Sequence, residues 1–279
     1  MTTFRKAGRS AVITGGASGI GLAAAKAFLA DGMKVLIADR DADALDAALH
    51  ALKPVDGGEI HAHRCDVSQF EEVEGLRDAA AAALGPVHCL MNNAGVGVPT
   101  RAPWEGLDAL HGMLGVNLMG VIHGCHAFIP GMLAHGEPGV VINTGSKQGI
   151  TRPPGNYGYN LSKAGVLAYT ESVAHALRNV EGGRLTAHLL APGFVYTSMV
   201  SRFIPEKPPM AWTAEETVAF ALPRIEAGDF YVICPDNEVT REMDERRIQW
   251  NADDLIQNRP ALSRWHPDYQ EAFARFMKS

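Results

Sequence analysis

The stretch Ser10-Ala11-Val12-Ile13-Thr14-Gly15-Gly16-Ala17-Ser18-Gly19-Ile20-Gly21 reads as a buried strand that runs through a glycine-rich turn into a helix. Ser10 to Thr14 is apolar and partly β-branched, and after Gly19 the residues Ile20, Ala23, Ala24, Ala27 and Phe28 recur at helical spacing. Glycines at such a turn let backbone approach a ligand closely, and the helix start offers N–H groups that no helical carbonyl uses. The combination suits a phosphate-bearing ligand. A glycine-rich turn without a ligand remains the alternative for this stretch taken alone.

Outward from this unit the pattern repeats. Strands are predicted over Val35–Ala38, Glu59–Cys65, Val87–Met91, Val140–Thr144, Leu185–Leu190 and Phe230–Cys234. Helices are predicted over Gly19–Ala30, Ala42–Leu52, Gln69–Leu84, Leu107–Leu133, Tyr157–Asn179 and Ala214–Glu226. Regular alternation implies an α/β fold, a doubly wound Rossmann-type parallel sheet with helices on both faces in a single domain. The domain is expected to span residues 1–235, and 236–279 reads as a polar, aromatic-punctuated extension packed on the domain or on a neighbouring subunit. Leu107–Leu133 is apolar nearly all round, so one face is expected to cover the sheet and another a second subunit.

Composition narrows the function classes. Across 279 residues, 47% are hydrophobic and 20% charged, ordinary for a folded chain. A net charge of −6 gives no electrostatic reason to bind nucleic acid. Cys65, Cys89, Cys125 and Cys234 are far apart, which suits a reducing cytoplasm and suggests neither disulfides nor zinc. Met1–Arg9 lacks the apolar core of a signal peptide, and no stretch reads as ~18 uncharged apolar residues in a row, so no membrane segment is expected. His61 with His63, and His123 with His126, share faces without a third ligand nearby, and no metal is expected.

Two further places carry chemistry. Asp39 ends the second strand, where a carboxylate can accept from ribose hydroxyls and repel a 2′-phosphate, which points to NAD. Arg40 beside it could clamp that phosphate instead, and Asp39 could serve only as a helix cap. Tyr159 and Lys163 stand four apart on one predicted helix, so they share a face. A phenol shuttles protons at neutral pH only where a cation stabilises its phenolate, and Lys163 is such a cation. Tyr157 has Leu161 at the same spacing, with no cation to tune it.

With these residues placed, the chain resembles the short-chain dehydrogenase/reductase family from the first strand through Met199 and on toward Cys234. The likeness rests on Thr14–Gly21, Asp66, Asn92-Asn93-Ala94-Gly95, Asn117, Ser146, Tyr159 with Lys163, and Pro192-Gly193 followed by Thr197. It implies an NAD-dependent oxidoreductase that exchanges a hydride with a secondary alcohol or ketone. By this resemblance Ser146 bonds the substrate oxygen, Tyr159 passes the proton, Lys163 tunes the tyrosine and holds the nicotinamide ribose, and Asn117 anchors a water in the relay. Gly15, Ser18, Gly19 and Ile20 would hold the pyrophosphate, Asp39 and Arg40 the ribose end, Asp66 and Val67 the adenine, Asn93, Ala94 and Gly95 the ribose side. Pro192, Gly193, Val195 and Thr197 would meet the nicotinamide half.

The chain departs from the family pattern in three places. Lys147 and Gln148 replace small residues after Ser146; Gln148 is a candidate for the substrate pocket, while Lys147 faces substrate, solvent or a subunit. Residues 194–212 form an apolar, proline-bearing loop suited to a lid over a hydrophobic or aromatic substrate, with Phe194, Met199 and Phe203 as lining candidates. Trp265, Tyr269, Phe273 and Phe276 lie at near-helical spacing, so Pro260–Met277 reads as a docking helix. A small-molecule substrate and a homodimer or homotetramer are the expected partners. A dehydratase or epimerase reaction on the same fold, or an NAD-binding scaffold without catalysis, are the rival readings; Ser146, Tyr159 and Lys163 together favour alcohol/ketone exchange.

Overall fold

The structure, a computed structural model, describes residues 4–52, 58–99 and 102–278; Met1–Thr3 of the N-terminal stretch and Ser279 of the extension lie outside the described residues. Seven strands form one parallel sheet in the order β3-β2-β1-β4-β5-β6-β7. They are β1 Ser10–Thr14, β2 Lys34–Asp39, β3 Glu59–Arg64, β4 Cys89–Asn92, β5 Gly139–Thr144, β6 Leu185–Ala191 and β7 Tyr231–Ile233. The winding reverses between β1 and β4, and ligands of such sheets bind in the crevice beyond the carboxyl ends at that point. Both the glycine turn and Asn93 stand there.

Burial follows from strand position. β1 and β5 are covered on both faces and buried throughout, whereas edge strand β3 alternates polar side chains and pairs Glu59 with Lys34 at 2.7 Å. On one face α1 (Gly19–Ala30), α2 (Ala42–Ala51) and α9 (Ala214–Ala227) pack Phe28, Leu29, Leu45, Val218 and Leu222 against the sheet. On the other, α3 (Phe70–Leu84), α5 (Gly120–Ala134) and α7 (Tyr157–Arg178) bury Leu76, Phe128, Met132 and Leu177.

Helix α4 (Leu107–Leu114) joins α5 through a π turn at Gly115–Met119, giving one helical run from Leu107 to Ala134. By length and composition this run is apolar enough to cross a membrane, which corrects the sequence expectation that no such stretch exists. The run matches the helix predicted over Leu107–Leu133, apolar nearly all round, with Asn117, His111, His123 and His126 interrupting its row of apolar residues. Val121, Cys125, Phe128 and Met132 lie buried inside this protein, so the apolar surface of the helix serves the core. All four cysteines are free and buried.

The extension is more structured than its polarity suggested. α10 (Arg241–Ile256) starts at Thr240, whose hydroxyl accepts from Met243 N, and carries Glu242 and Asp244 in its first turn. The single helix expected over Pro260–Met277 is instead two 3₁₀ turns, Ser263–Trp265 and Pro267–Tyr269, followed by the short α11 (Gln270–Phe276). Pro267 lacks an N–H and holds His266 extended, which breaks the run despite its aromatic spacing. Phe273 and Phe276 fold back on Trp250 of α10, each with ring centroids 5.2 Å away, and the Arg259 guanidinium stands over the same ring at 4.1 Å.

Candidate active site

The glycine turn is shaped by close backbone approach. Gly15 has φ +63°, and a Cβ there would lie 2.8 Å from Ala94 Cα; one on Gly21 would collide with the Gly15 carbonyl. The chain between β1 and α1 therefore lies flat against the segment after β4. Asn93 braces it, donating through Nδ2 to Thr14 O at 3.1 Å and Gly15 O at 3.2 Å, while its own N–H bonds Thr14 Oγ1 at 3.0 Å. The α1 start carries no side-chain cap and no acidic residue in its first turn, so its positive end faces the turn uncompensated. A cradle of this kind fits the pyrophosphate of a dinucleotide.

Further along the crevice, Asp39 ends β2 half-buried and accepts from Asp41 N at 3.3 Å. Asp41, not Asp39, caps α2, taking Ala44 N at 3.0 Å, so the cap alternative for Asp39 fails. Arg40 is exposed. Asp66 accepts from Ser68 N at 3.0 Å in the turn before α3, and Val67 packs on Gly120. Asn93, Ala94 and Gly95 line the β4 side. A Cβ on Gly19 would touch Thr197 at 3.1 Å, and Ser198 donates to Ser18 at 3.1 Å, so the segment after β6 closes over the start of α1.

At the centre, Asn156 accepts from Tyr159 N and starts α7, which carries Tyr159 and Lys163 on one face. Lys163 Nζ sits 5.8 Å from the Tyr159 ring centroid and donates to Thr144 O at 2.8 Å. Burial pulls the Lys163 ammonium down to about 8, and burial also raises the Tyr159 phenol while a hydrogen bond with Ser146 pulls it the other way. Ser146 caps α6 (Lys147–Thr151), accepting Gln148 N at 3.1 Å, which leaves its hydroxyl proton free to donate. Asn117, fully buried in the π turn, accepts Val96 N at 2.7 Å and donates to Val96 O at 3.0 Å and Ser162 Oγ at 3.2 Å. A Cβ on Gly95 would stand 3.5 Å from Asn117 Oδ1 and 3.7 Å from Lys163 Nζ, so these three meet. Tyr157 points elsewhere, donating to Glu105 O at 3.3 Å.

The segment 194–212, expected to form a lid, is closed at its base by Tyr196 N to Trp212 O at 2.8 Å and Trp212 N to Phe194 O at 2.9 Å. Met199 lies over Gly97, 3.1 Å from where a Cβ would stand, and Phe194 is half-buried near Pro192, Gly193 and Val195. Gln148 and Phe203 are exposed. Sequence reasoning missed the short α8 (Ser198–Ser201) in the lid and the place of Lys147, whose side chain lies buried against Asp236 and Asp244. The acid-rich first turn of α10 was the one available signal for that partner.

Residues 9–208 match the family model described as short chain dehydrogenase. The chain is 37% identical over 194 residues to the 1-deoxy-11-beta-hydroxypentalenate dehydrogenase of Streptomyces exfoliatus, covering 69% of each. It is 36% identical over 170 residues to a 3beta-hydroxysteroid dehydrogenase of Eggerthella lenta, covering 60% of this chain and 65% of that one. A short-chain dehydrogenase/reductase from Burkholderia phymatum, solved with NAD, superposes with TM-score 0.82 at 33% identity over 92% of this chain and 97% of that one. An alcohol dehydrogenase from Thermococcus sibiricus, solved with 5-hydroxy-NADP, gives TM-score 0.73 at 26% identity over 83% and 98%. This chain belongs to the short-chain dehydrogenase/reductase family, oxidoreductases that act on alcohols and ketones with a nicotinamide cofactor.

Proposed function

We propose that this chain interconverts a secondary alcohol and its ketone with NAD(H), on a hydrophobic or aromatic substrate. The observation that supports this most is the half-buried Tyr159 in hydrogen-bonding contact with Ser146 and with Lys163 Nζ 5.8 Å from its ring. A bound dinucleotide supplies the hydride acceptor, its nicotinamide ring. In the oxidation direction Tyr159 takes the hydroxyl proton while the carbinol C–H electrons leave as hydride, so the substrate loses two electrons and two hydrogens. Ser146 donates to the substrate oxygen, and the Lys163 ammonium stabilises the phenolate. Asn117, held in place by Val96 and Ser162, would anchor a water of the proton relay.

Gly15, Ser18, Gly19 and Ile20 would hold the pyrophosphate, Asp39 the adenosine ribose, Asp66 and Val67 the adenine, and Asn93, Ala94 and Gly95 the β4 side. Pro192, Gly193, Val195 and Thr197 would hold the nicotinamide half. Asp39 favours NAD, because its carboxylate repels a 2′-phosphate. Exposed Arg40 is the counterweight. The apolar lid residues Phe194, Met199 and Phe203 support a hydrophobic substrate, and the relative named for a hydroxysteroid points the same way. Nicotinamide absorbance with purified protein and a panel of secondary alcohols is expected to rise faster with NAD than with NADP. No activity with any alcohol or ketone would sink the reaction, and a higher kcat/KM with NADP would sink the cofactor preference.

We also infer a homodimer or homotetramer joined through the Leu107–Ala134 helical run and α7. Leu107, Met119 and Leu161 are exposed on these helices, apolar surface that a second copy would cover. Sedimentation at micromolar concentration is expected to give two or four copies, and a stable monomer would end the inference.

A further inference from the structure

Lys147 directly follows Ser146, and its side chain is not free. It runs under the Pro192–Phe194 turn, where a Cβ on Gly193 would stand 2.8 Å from Lys147 Cε and 2.9 Å from Asp236 Oδ2. Its Nζ reaches Asp244 Oδ2 of α10 at 2.6 Å and Asp236 Oδ2 at 3.5 Å, with all three side chains nearly buried. Asp236 Oδ2 also accepts Phe194 N at 3.3 Å, and its Oδ1 accepts Val239 N at 2.8 Å. The Lys147 backbone N–H bonds Pro192 O at 3.1 Å. Three residues further along α6 and seven along α10 the two helices meet again, where Asn251 Nδ2 donates to Ile150 O at 3.4 Å. Gly149 completes the stack: a Cβ there would lie 2.5 Å from the Lys163 carbonyl carbon, so α6 lies directly on the α7 backbone.

We propose that Lys147 is a positioning residue, which through Asp244 and Asp236 makes the C-terminal extension set the placement of Ser146 and of the Pro192–Phe194 turn. The inference rests on the role proposed above for Ser146. A buried ion pair is poor evidence for stability, since the desolvation of both charges offsets their attraction; where it fixes one arrangement, its value lies in specificity. Here the arrangement fixed is the first turn of α6, whose cap is the candidate catalytic hydroxyl. α6 has only five residues, too short to hold itself, so its register depends on what grips it.

The test is a double-mutant cycle between Asp244→Asn and Ser146→Ala, read as kcat for oxidation of 1-phenylethanol with NAD. Asp244→Asn keeps shape and most hydrogen-bonding capacity while removing the nearer of the two charges that hold Lys147. With Ser146 present it is expected to lower kcat on the order of tenfold, and with Ser146→Ala to lower it further by less than about twofold, because the misplaced group is already gone. An effect that merely loosened the fold would cost both backgrounds equally. Equal losses, or none with Ser146 present, overturn the positioning role while the catalytic reading stands. Unchanged kcat in Ser146→Ala itself overturns the catalytic reading and this inference together. Should Asp244→Asn not fold, Lys147→Met with Asp244→Leu replaces the pair by apolar groups of similar size and is subject to the same comparison.

Discussion

The glycine turn and the C-terminal extension stand at opposite ends of the chain, and they are specified in opposite ways. At the turn the contacts that shape the backbone are made by residues close in sequence or just after the neighbouring strand, Gly15 against Ala94, Gly21 against Gly15 and Asn93 on Thr14, and only Ser18 and Gly19 meet a distant segment, at Ser198 and Thr197. The residue types themselves state the geometry, because only glycine allows such approach. α10 is mostly charged and polar, and what makes its Asp244 sensible is a lysine almost a hundred residues earlier. The difference teaches that the chemistry-bearing half of this enzyme is encoded locally, whereas the part that holds it in place is encoded through long-range partners.

The largest expected effect tests the local half. Tyr159→Phe is expected to lower kcat about a thousandfold while the dissociation constant for NAD changes little, because the ring stays and only the proton-transferring hydroxyl goes. Lys163→Ala is expected to damage both kcat and NAD binding, since its ammonium is given two partners, the phenol and the cofactor ribose. Tyr157→Phe removes only a hydroxyl directed at Glu105 O, away from Lys163, and is expected to leave kcat within about twofold. Loss of activity in Tyr157→Phe with retention in Tyr159→Phe would withdraw the roles of Ser146 and Asn117 as well.

How much could be read in advance follows the same division. The seven strands and the helices between them were legible because hydrophobic period and glycine breaks repeat at each βα unit, and β1 and α1 fall where the sequence reading placed them. The pairing of Tyr159 with Lys163 was legible because four residues of helix is a fixed geometry. Lys147 was not. Solvent, substrate and a subunit were all open, and the burial of its partner depends on how the extension folds. Pro260–Met277 misled in a different way: aromatic spacing suggested one helix, but Pro267 and the left-handed Leu262 divide it. The run from Leu107 to Ala134 was legible as a long helix apolar nearly all round, while Asn117, His111, His123 and His126 kept it from counting as an unbroken apolar row.

A smaller effect on activity, and the sharper probe of the comparison, comes from Trp250. Its indole is buried, donates to Ser263 Oγ at 2.8 Å, and packs on Phe273, Phe276 and Arg259, all of them residues of the extension. Trp250→Ala is expected to cost about 3–5 kcal/mol of local packing, the usual range for emptying a buried aromatic site. Because its partners lie inside the extension, the loss is expected to fall there, letting it open while the parallel sheet stays folded. Limited trypsin digestion would then cut after Arg246, Arg247, Arg259 or Arg264 and leave a resistant core. Phe28→Ala is the matching cavity on the sheet, where Phe28 is buried against Phe4 with centroids 6.0 Å apart, and it is expected to lower the main unfolding transition without selective cleavage. If opening of the extension releases Lys147, kcat of Trp250→Ala should fall toward that of Asp244→Asn, but no further. A single unfolding transition for Trp250→Ala with no early cleavage would show the extension and the sheet to be one cooperative unit, and the contrast between locally and remotely specified halves would then hold for the sequence but not for the folded enzyme.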